Sequence, residues 1–356
     1  MDLEQRLKSQ IAADGPLTIA QYMTACLHDP RDGYYATRPR LGADGDFITA
    51  PLVSQMFGEL LGLWAVEVWM RLGQPSPVLL VEAGPGDGTL ISDTLRAARL
   101  APAFLEAARL YLVETSAPLM EAQRARLADG PLHPVWVGNL DALPSGAPVI
   151  LIANELLDCL PARQFVRTAR GWAERMVGLD AAGALAFGLA SRPLDRVLPE
   201  AEPGSVFEVS AAQEALGSAL GALLAREGGC ALLIDYGRDQ PEFGDTLQAL
   251  QGQQKRSPLD APGHADLTIH ADFPAVAAAA RAAGAATAPI LTQAQLLVRL
   301  GVHHRAEALI RARPDKAATV QRQLARLTDP EQMGTLFKAL AIHAPSSLIP
   351  PGFEPS

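Results

Sequence analysis

Apolar and polar positions along the chain fall into two alternating rhythms. Stretches such as VLLVEA, VILIAN and ALLID are apolar on both faces, the pattern of parallel strands buried between helical layers. They predict strands at 77–83, 148–153 and 230–235, with two more at 109–114 and 135–137. Between them, apolar residues recur at helical spacing around 87–99, 117–128 and 211–226. Strand and helix in turn predict a doubly wound α/β sheet. Upstream, 3–27 reads as helix broken at DGPLT, with Thr18 capping a second helix, Ile19 to Leu27. Ser54 is placed to cap a helix running from Met56 to Leu72. Between these lies a Gly-, Pro- and Asp-rich loop, His28 to Pro51, of a length that usually carries function.

The rhythm breaks twice. Residues 160–208 read as antiparallel strands turning near DAAGA, an insertion after the fourth strand. Residues 292–334 read as short helices, and 335–345 as a returning last strand. The alanine-rich 275–286 reads as an ordinary helix. The expected organisation is an N-terminal helical lid (1–75), a core (76–344) carrying both insertions, and a tail (345–356).

Composition narrows the function classes. The 356 residues carry a net charge of −9, and 49% are hydrophobic. An acidic chain is a poor binder of nucleic-acid backbones, and no run of about 18 apolar residues exists to span a membrane. The N-terminus is charged and has no apolar signal core. Cys26, Cys159 and Cys230 are far apart and read as reduced thiols. These features fit a bacterial-type cytoplasm. No H-E-x-x-H or C-x-x-C spacing occurs, so no metal is expected.

The chemistry concentrates at strand ends. After the first core strand, Glu82 precedes G-P-G-D-G, with glycines at Gly84, Gly86 and Gly88. A phosphate loop would need Lys after the last glycine, and a dinucleotide loop would need G-x-G-x-x-G. A nucleoside cofactor with an amino-acid tail, S-adenosylmethionine, is the third reading, and a ligand-free tight turn is the fourth. Glu114, ending the second strand, is placed to accept from ribose hydroxyls. Asn139 and Leu140, after the third, are placed to frame an adenine, and Asp141 to accept from its amino group. The fourth strand ends in ANELLDCLP. There Asn154, Glu155 and Asp158 emerge together, and a helical turn would put both carboxylates on one face, able to hold a guanidinium. Tyr236 ends the fifth strand on the ligand side. His270 is a candidate base for a released proton. Ordinary packing is the competing reading for both.

The chain resembles the MidA-type family, whose mitochondrial members are complex I assembly factors known as arginine methyltransferases. The resemblance rests on DPRDGYY (29–35), GDFITAPLVSQMFGELLG (45–62), EAGPGDGTL (82–90), VETSAPL (113–119) and ANELLDCLPARQF (153–165). It continues in LLIDYG (232–237), GDTLQAL (244–250), PGHADLTIHADF (262–273), LTQAQLLVRLG (291–301) and MGTLFKALA (333–341). It implies a class I methyltransferase fold, Rossmann-like, with a mostly parallel seven-stranded sheet. It further implies S-adenosylmethionine as cofactor and a protein arginine as acceptor, on a client such as the quinone-arm subunit of complex I. Gly84, Gly86, Gly88 and Glu114 would hold the cofactor, and Asn154 and Glu155 would sit near the transferred methyl. Gly45, Asp46, Phe47 and Thr49 would form a closing loop. Leu52 stands where the family usually has an acid. A client-binding factor that keeps the cofactor site, a small-molecule methyltransferase and a homodimer are compatible with the same motifs.

Overall fold

The computed structural model describes residues 1–37, 49–191, 194, 197–345 and 348–355. The chain opens with α1 (Leu3–Asp14), β1 (Leu17–Thr18) and α2 (Ile19–His28). Thr18 and Gln21 close a reciprocal capping box at the start of α2. Two single-turn helices, α3 (Tyr34–Thr37) and α4 (Ala50–Val53), precede α5 (Gln55–Arg71), where Ser54 accepts from the Met56 amide.

The alternating core follows: β2 (Val78–Ala83), α6 (Thr89–Ala98), α7 (Pro102–Ala107), β3 (Ala108–Val113), α8 (Ala117–Leu127), β4 (Val135–Val137) and β5 (Val149–Asn154). The insertion supplies β6 (Arg163–Thr168), β7 (Gly171–Leu179), β8 (Leu185–Leu189) and β9 (Val206–Val209). After α9 (Ala211–Glu227) and β10 (Gly229–Arg238) comes a small antiparallel sheet of β11 (Gln248–Gln251), β12 (Gln254–Arg256) and β13 (Asp266–Thr268). The chain ends with β14 (Ala271–Asp272), α10 (Phe273–Ala282), β15 (Ala286–Thr287), β16 (Leu291–Thr292), α11 (Gln293–Arg299), α12 (Val302–Ala312), α13 (Ala317–Thr328), α14 (Met333–Leu336) and β17 (Phe337–His343).

Seven strands of the central sheet run on one path, β15-β17-β10-β5-β2-β3-β4, with β14 and β16 attached at its side. The pairs from β10 through β4 are parallel, and β17 is antiparallel to both its neighbours. Strand order reverses between β2 and β5, and sheets of this kind place their ligand crevice at such a point, beyond the carboxyl ends of the strands. Strands β2, β5 and β10 are buried along their whole length, in keeping with their mainly apolar sequences.

Helix pairs cover both faces. Gly58 and Gly62 of α5 meet α6 so closely that an added Cβ would lie 2.5 Å from the Asp93 Cβ and the Thr94 carbonyl oxygen respectively. Helix α5 is therefore core, although its place in the sequence groups it with the lid. On the other face, Gly217 and Gly221 of α9 give α10 the same close approach. A separate apolar cluster joins α1 and α2 to the insertion and the small sheet through Leu7, Tyr22, Met23, Val177, Ala249 and Leu267. The N-terminal helices thus cover the carboxyl-end side of the sheet together with residues far away in sequence. The C-terminal segment is docked, with Leu348 and Phe353 buried and the Arg71 Nη1 donating to the Ile349 carbonyl.

Candidate active site

The glycine loop between β2 and α6 needs its glycines. Gly84, Gly86 and Gly88 have φ of 67°, 53° and 81°, a region costly for any residue with a Cβ. At Gly84 a Cβ would also lie 2.9 Å from Leu156 Cδ1. The loop is pinned from α8: Arg126 donates to the Asp87 carbonyl at 2.9 Å and to its carboxylate at 2.7 Å.

Glu114 follows β3. One of its oxygens accepts from the Thr115 and Ser116 amides at 2.8 and 2.7 Å, and the other accepts from Gln123 Nε2 at 3.2 Å. Burial raises its pKa, against the pull of those donors. Gln123, fully buried, ties three elements together. Its Nε2 also donates to the Gly86 carbonyl at 2.7 Å, and its Oε1 accepts from Trp136 Nε1 at 2.7 Å. Asn139 accepts from the Ala142 amide and so shapes the tight turn that presents Leu140 and Asp141.

The end of β5 departs from expectation. Glu155 has φ 53°, so the chain leaves the strand in a left-handed step, not a helical turn. Asp235 then organises the backbone. Its Oδ2 accepts from the Leu157 and Asp158 amides at 2.8 and 3.2 Å, and its Oδ1 from the Tyr236 amide at 2.8 Å. Glu155 Oε1 accepts from Asn154 Nδ2 at 2.9 Å and from the Ala50 amide at 3.1 Å, tying the N-terminal segment to the sheet. Burial, with Asp158 adding to it, pushes the Glu155 carboxyl up to about 8, and burial pushes Asp158 up to about 7. Glu82 rises to about 8 from burial and the nearby Asp87. Asp235 is also raised, by burial and then by Asp158 and Glu155.

These strand ends open on one cleft of about 1000 Å³. Glu82, Gly84, Gly86, Glu114, Leu140, Asp141, Asn154, Glu155, Asp158 and Thr49 all line it. Gly88 does not; it caps α6 in a left-handed conformation. Tyr236 and His270 do not line it either, which corrects both expectations. Their rings pack edge to face at 5.5 Å behind the cleft wall, and the His270 amide is held by Thr246 Oγ1 at 2.9 Å. Burial lowers the His270 pKa, so it is neutral but out of reach of the cleft. Gly45, Asp46 and Phe47 lie outside the described residues. Sequence reasoning missed Gln123, whose role depends on a partner on each of three strand ends. It also left His28 and Tyr35 without an individual role. Both line the cleft and stack on each other at 5.7 Å.

Three buried polar atoms on the wall have no partner among the described residues: Glu82 Oε2, Thr89 Oγ1 and Asn154 Oδ1. Buried polar atoms are rarely left so. Two are acceptors, suited to a ligand that brings N–H donors, and they flank the glycine loop. Glu114 and Asp141 line the same cleft, and the acceptors along it fit the ribose and amino groups of S-adenosylmethionine. A parallel sheet with its antiparallel strand in this position, and this loop at the switch point, defines the class I S-adenosylmethionine-dependent methyltransferases.

Comparison with known proteins agrees. The profile of the S-adenosyl-L-methionine-dependent methyltransferase family matches residues 60–291, and the chain belongs to that family. It is 34% identical to the mitochondrial protein arginine methyltransferase NDUFAF7 of Danio rerio, over 95% of this chain and 86% of that one. The Homo sapiens NDUFAF7 is also 34% identical, over 95% and 82%. The crystal structure of a COG1565 superfamily protein from Burkholderia thailandensis, bound to S-adenosyl-homocysteine, superposes with a TM-score of 0.83. That match has 27% identity over 99% of this chain and 93% of that one. This protein is an enzyme of the methyltransferase class that uses S-adenosylmethionine.

Proposed function

We propose that the chain methylates an arginine side chain of a protein client, with the quinone-arm subunit of respiratory complex I as the candidate. One observation carries the reading: the buried carboxyls of Glu155 and Asp158 stand together on the cleft wall, at the switch point of the sheet. A guanidinium is the biological cation that best matches paired carboxylates, through planar two-point hydrogen bonds. The names of the relatives point the same way.

Glu82, Gly84, Gly86, Thr89, Glu114, Leu140, Asp141 and Asn154 would hold the cofactor, which when bound supplies a sulfonium-activated methyl group. Glu155, fixed by Asn154 and Ala50, holds the incoming guanidinium. Arrival of a cation favours the ionised forms of both carboxyls, so acceptor binding releases protons into solvent. The reacting nitrogen sheds one proton as its bond to the methyl carbon forms, and Asp158 is placed to take it. Positioning and a preset charge do most of this work.

The test is incubation of the purified protein with methyl-labelled S-adenosylmethionine and the candidate subunit, followed by peptide mass spectrometry. A methylated arginine is expected. Glu155→Gln is expected to abolish it while leaving S-adenosylhomocysteine binding intact. Binding of the cofactor with no arginine labelled on the subunit would remove the proposed acceptor.

A further inference from the structure

Two buried hydroxyls lie behind Asp158, Tyr236 Oη and Thr268 Oγ1, and among the described residues neither makes a hydrogen bond of full geometry in this conformation. Their residues are 6% and 1% exposed, and neither lines the cleft. Tyr236 lies near the end of β10, one residue after Asp235, the carboxylate that holds the Leu157 and Asp158 amides. Thr268 ends β13, and the next residue, Ile269, donates its amide to the Asp158 carbonyl at 2.9 Å. The main chain of Asp158 is therefore clamped from both strands, and the two hydroxyls are carried to the same place. The phenol faces the Asp158 carboxyl on one side and the Thr268 hydroxyl on the other. His270 at 5.5 Å and Phe337 at 5.7 Å wedge the Tyr236 ring, so it has little freedom to turn away.

We propose that Tyr236 is a positioning residue for the proton step. Its hydroxyl donates to the Asp158 carboxylate, and Thr268 donates in turn to the Tyr236 oxygen. This chain keeps Asp158 the ionised member of the carboxyl cluster, ready for the proton the acceptor nitrogen sheds. The proposal rests on the role given to Asp158 above. One proton moves, from acceptor nitrogen to carboxylate oxygen, and it leaves through the cleft after the product.

The surroundings show why such a donor is needed. Asp158 is faced by Glu155 and Cys159 from its own loop, by Asp235 and Tyr236 from β10 and by Tyr35 from α3, with Asp266 of β13 set against Tyr35, Cys159 and Tyr236. Burial resists a negative charge at Asp158, and that charge in turn raises Glu155 and Asp235. Among the side chains that face it, Tyr236 favours the charge.

Infrared difference spectroscopy across a pH titration of the full chain reads the Asp158 carboxyl directly, with Asp158→Asn identifying its band. In Tyr236→Phe the midpoint is expected to rise by about one pH unit. That is the tenfold change in proton affinity for losing one hydrogen bond to the ionised form. Thr268→Val is expected to shift it in the same direction by less, and it carries the test alone if Tyr236→Phe fails to fold by circular dichroism. The acid limb of the methylation rate should move with the band. An unshifted midpoint in folded Tyr236→Phe, or in Thr268→Val where that variant stands alone, would overturn the proposal. The midpoint is read without any acceptor, so a wrong client leaves this result standing.

Discussion

Replacing Gln123 by Leu would remove one carboxamide and disturb three strand ends at once. Leucine has nearly the same volume, so no cavity is added. Lost are the bonds to the Gly86 carbonyl, Glu114 Oε2 and Trp136 Nε1, at 2.7, 3.2 and 2.7 Å. A buried polar group left without its partner costs about 1–3 kcal/mol. Trp136 and Glu114 are only partly buried and can recruit water, so the sum is discounted. A loss of roughly 2–4 kcal/mol in unfolding free energy is expected. Cofactor binding should suffer separately. The Gly86 carbonyl sets the loop conformation, and Gln123 orients the carboxylate read as the ribose acceptor. Loss of about 1.4 kcal/mol there is a tenfold weaker dissociation constant. Urea unfolding gives the first number, and calorimetric titration with S-adenosylhomocysteine gives the second. Trp136→Phe removes a single bond and should leave binding close to native. A Gln123→Leu protein with native affinity and native stability would refute the role given to this residue.

Two further outcomes follow from the charges. In the folded state Glu82 titrates near 8, while its ordinary value is 4.5. Its share of stability is therefore fully present below about pH 4.5 and is lost as pH rises through about 8. Glu82→Gln should match the native protein near pH 4 and exceed it by a few kcal/mol near pH 9, an order-of-magnitude figure. Equal gaps at both pH values would show that burial does not set this pKa. On the far side of α5, Glu59 accepts from Arg305 at 2.7 Å and from Arg96 at 3.2 Å, joining α5 to α12 and α6. Both arginines are partly exposed and can return to water, so Glu59→Ala should cost only about 1–2 kcal/mol in urea unfolding. Its S-adenosylhomocysteine affinity should be native, and a weakened affinity would show that this network reaches the cleft.

Much of the fold could be read from the chain because its signals are local. The apolar runs at 78–81 and 149–153, flanked by turn residues, read as strands buried on both sides, and glycines at 84, 86 and 88 read as a tight turn between strand and helix. Thr18 and Ser54 cap the helices they were expected to cap. Helix α7 was not foreseen, being a single short turn and a half with only a proline to announce it. The small sheet of β11 to β13 was also missed, since its strands are three or four residues long.

The candidate site divides in the same way. Residues at strand ends, Glu82, Glu114, Asn154 and Glu155, are found by position in a doubly wound sheet, because the topology sends every such end to one crevice. The sequence by itself therefore determined the strand order class, the glycine loop and the acids around it. Only the tertiary structure decided which side chains face the cleft. It turned Tyr236 and His270 behind the wall, where each packs on the other. It replaced the expected helical turn after Asn154 with a left-handed step held by Asp235, a residue 77 positions beyond Asp158. It also made Gln123 a junction. The physical reason is range. Propensity and periodicity act over a few residues, whereas burial and hydrogen-bond satisfaction are settled among groups that meet only once the sheet has closed.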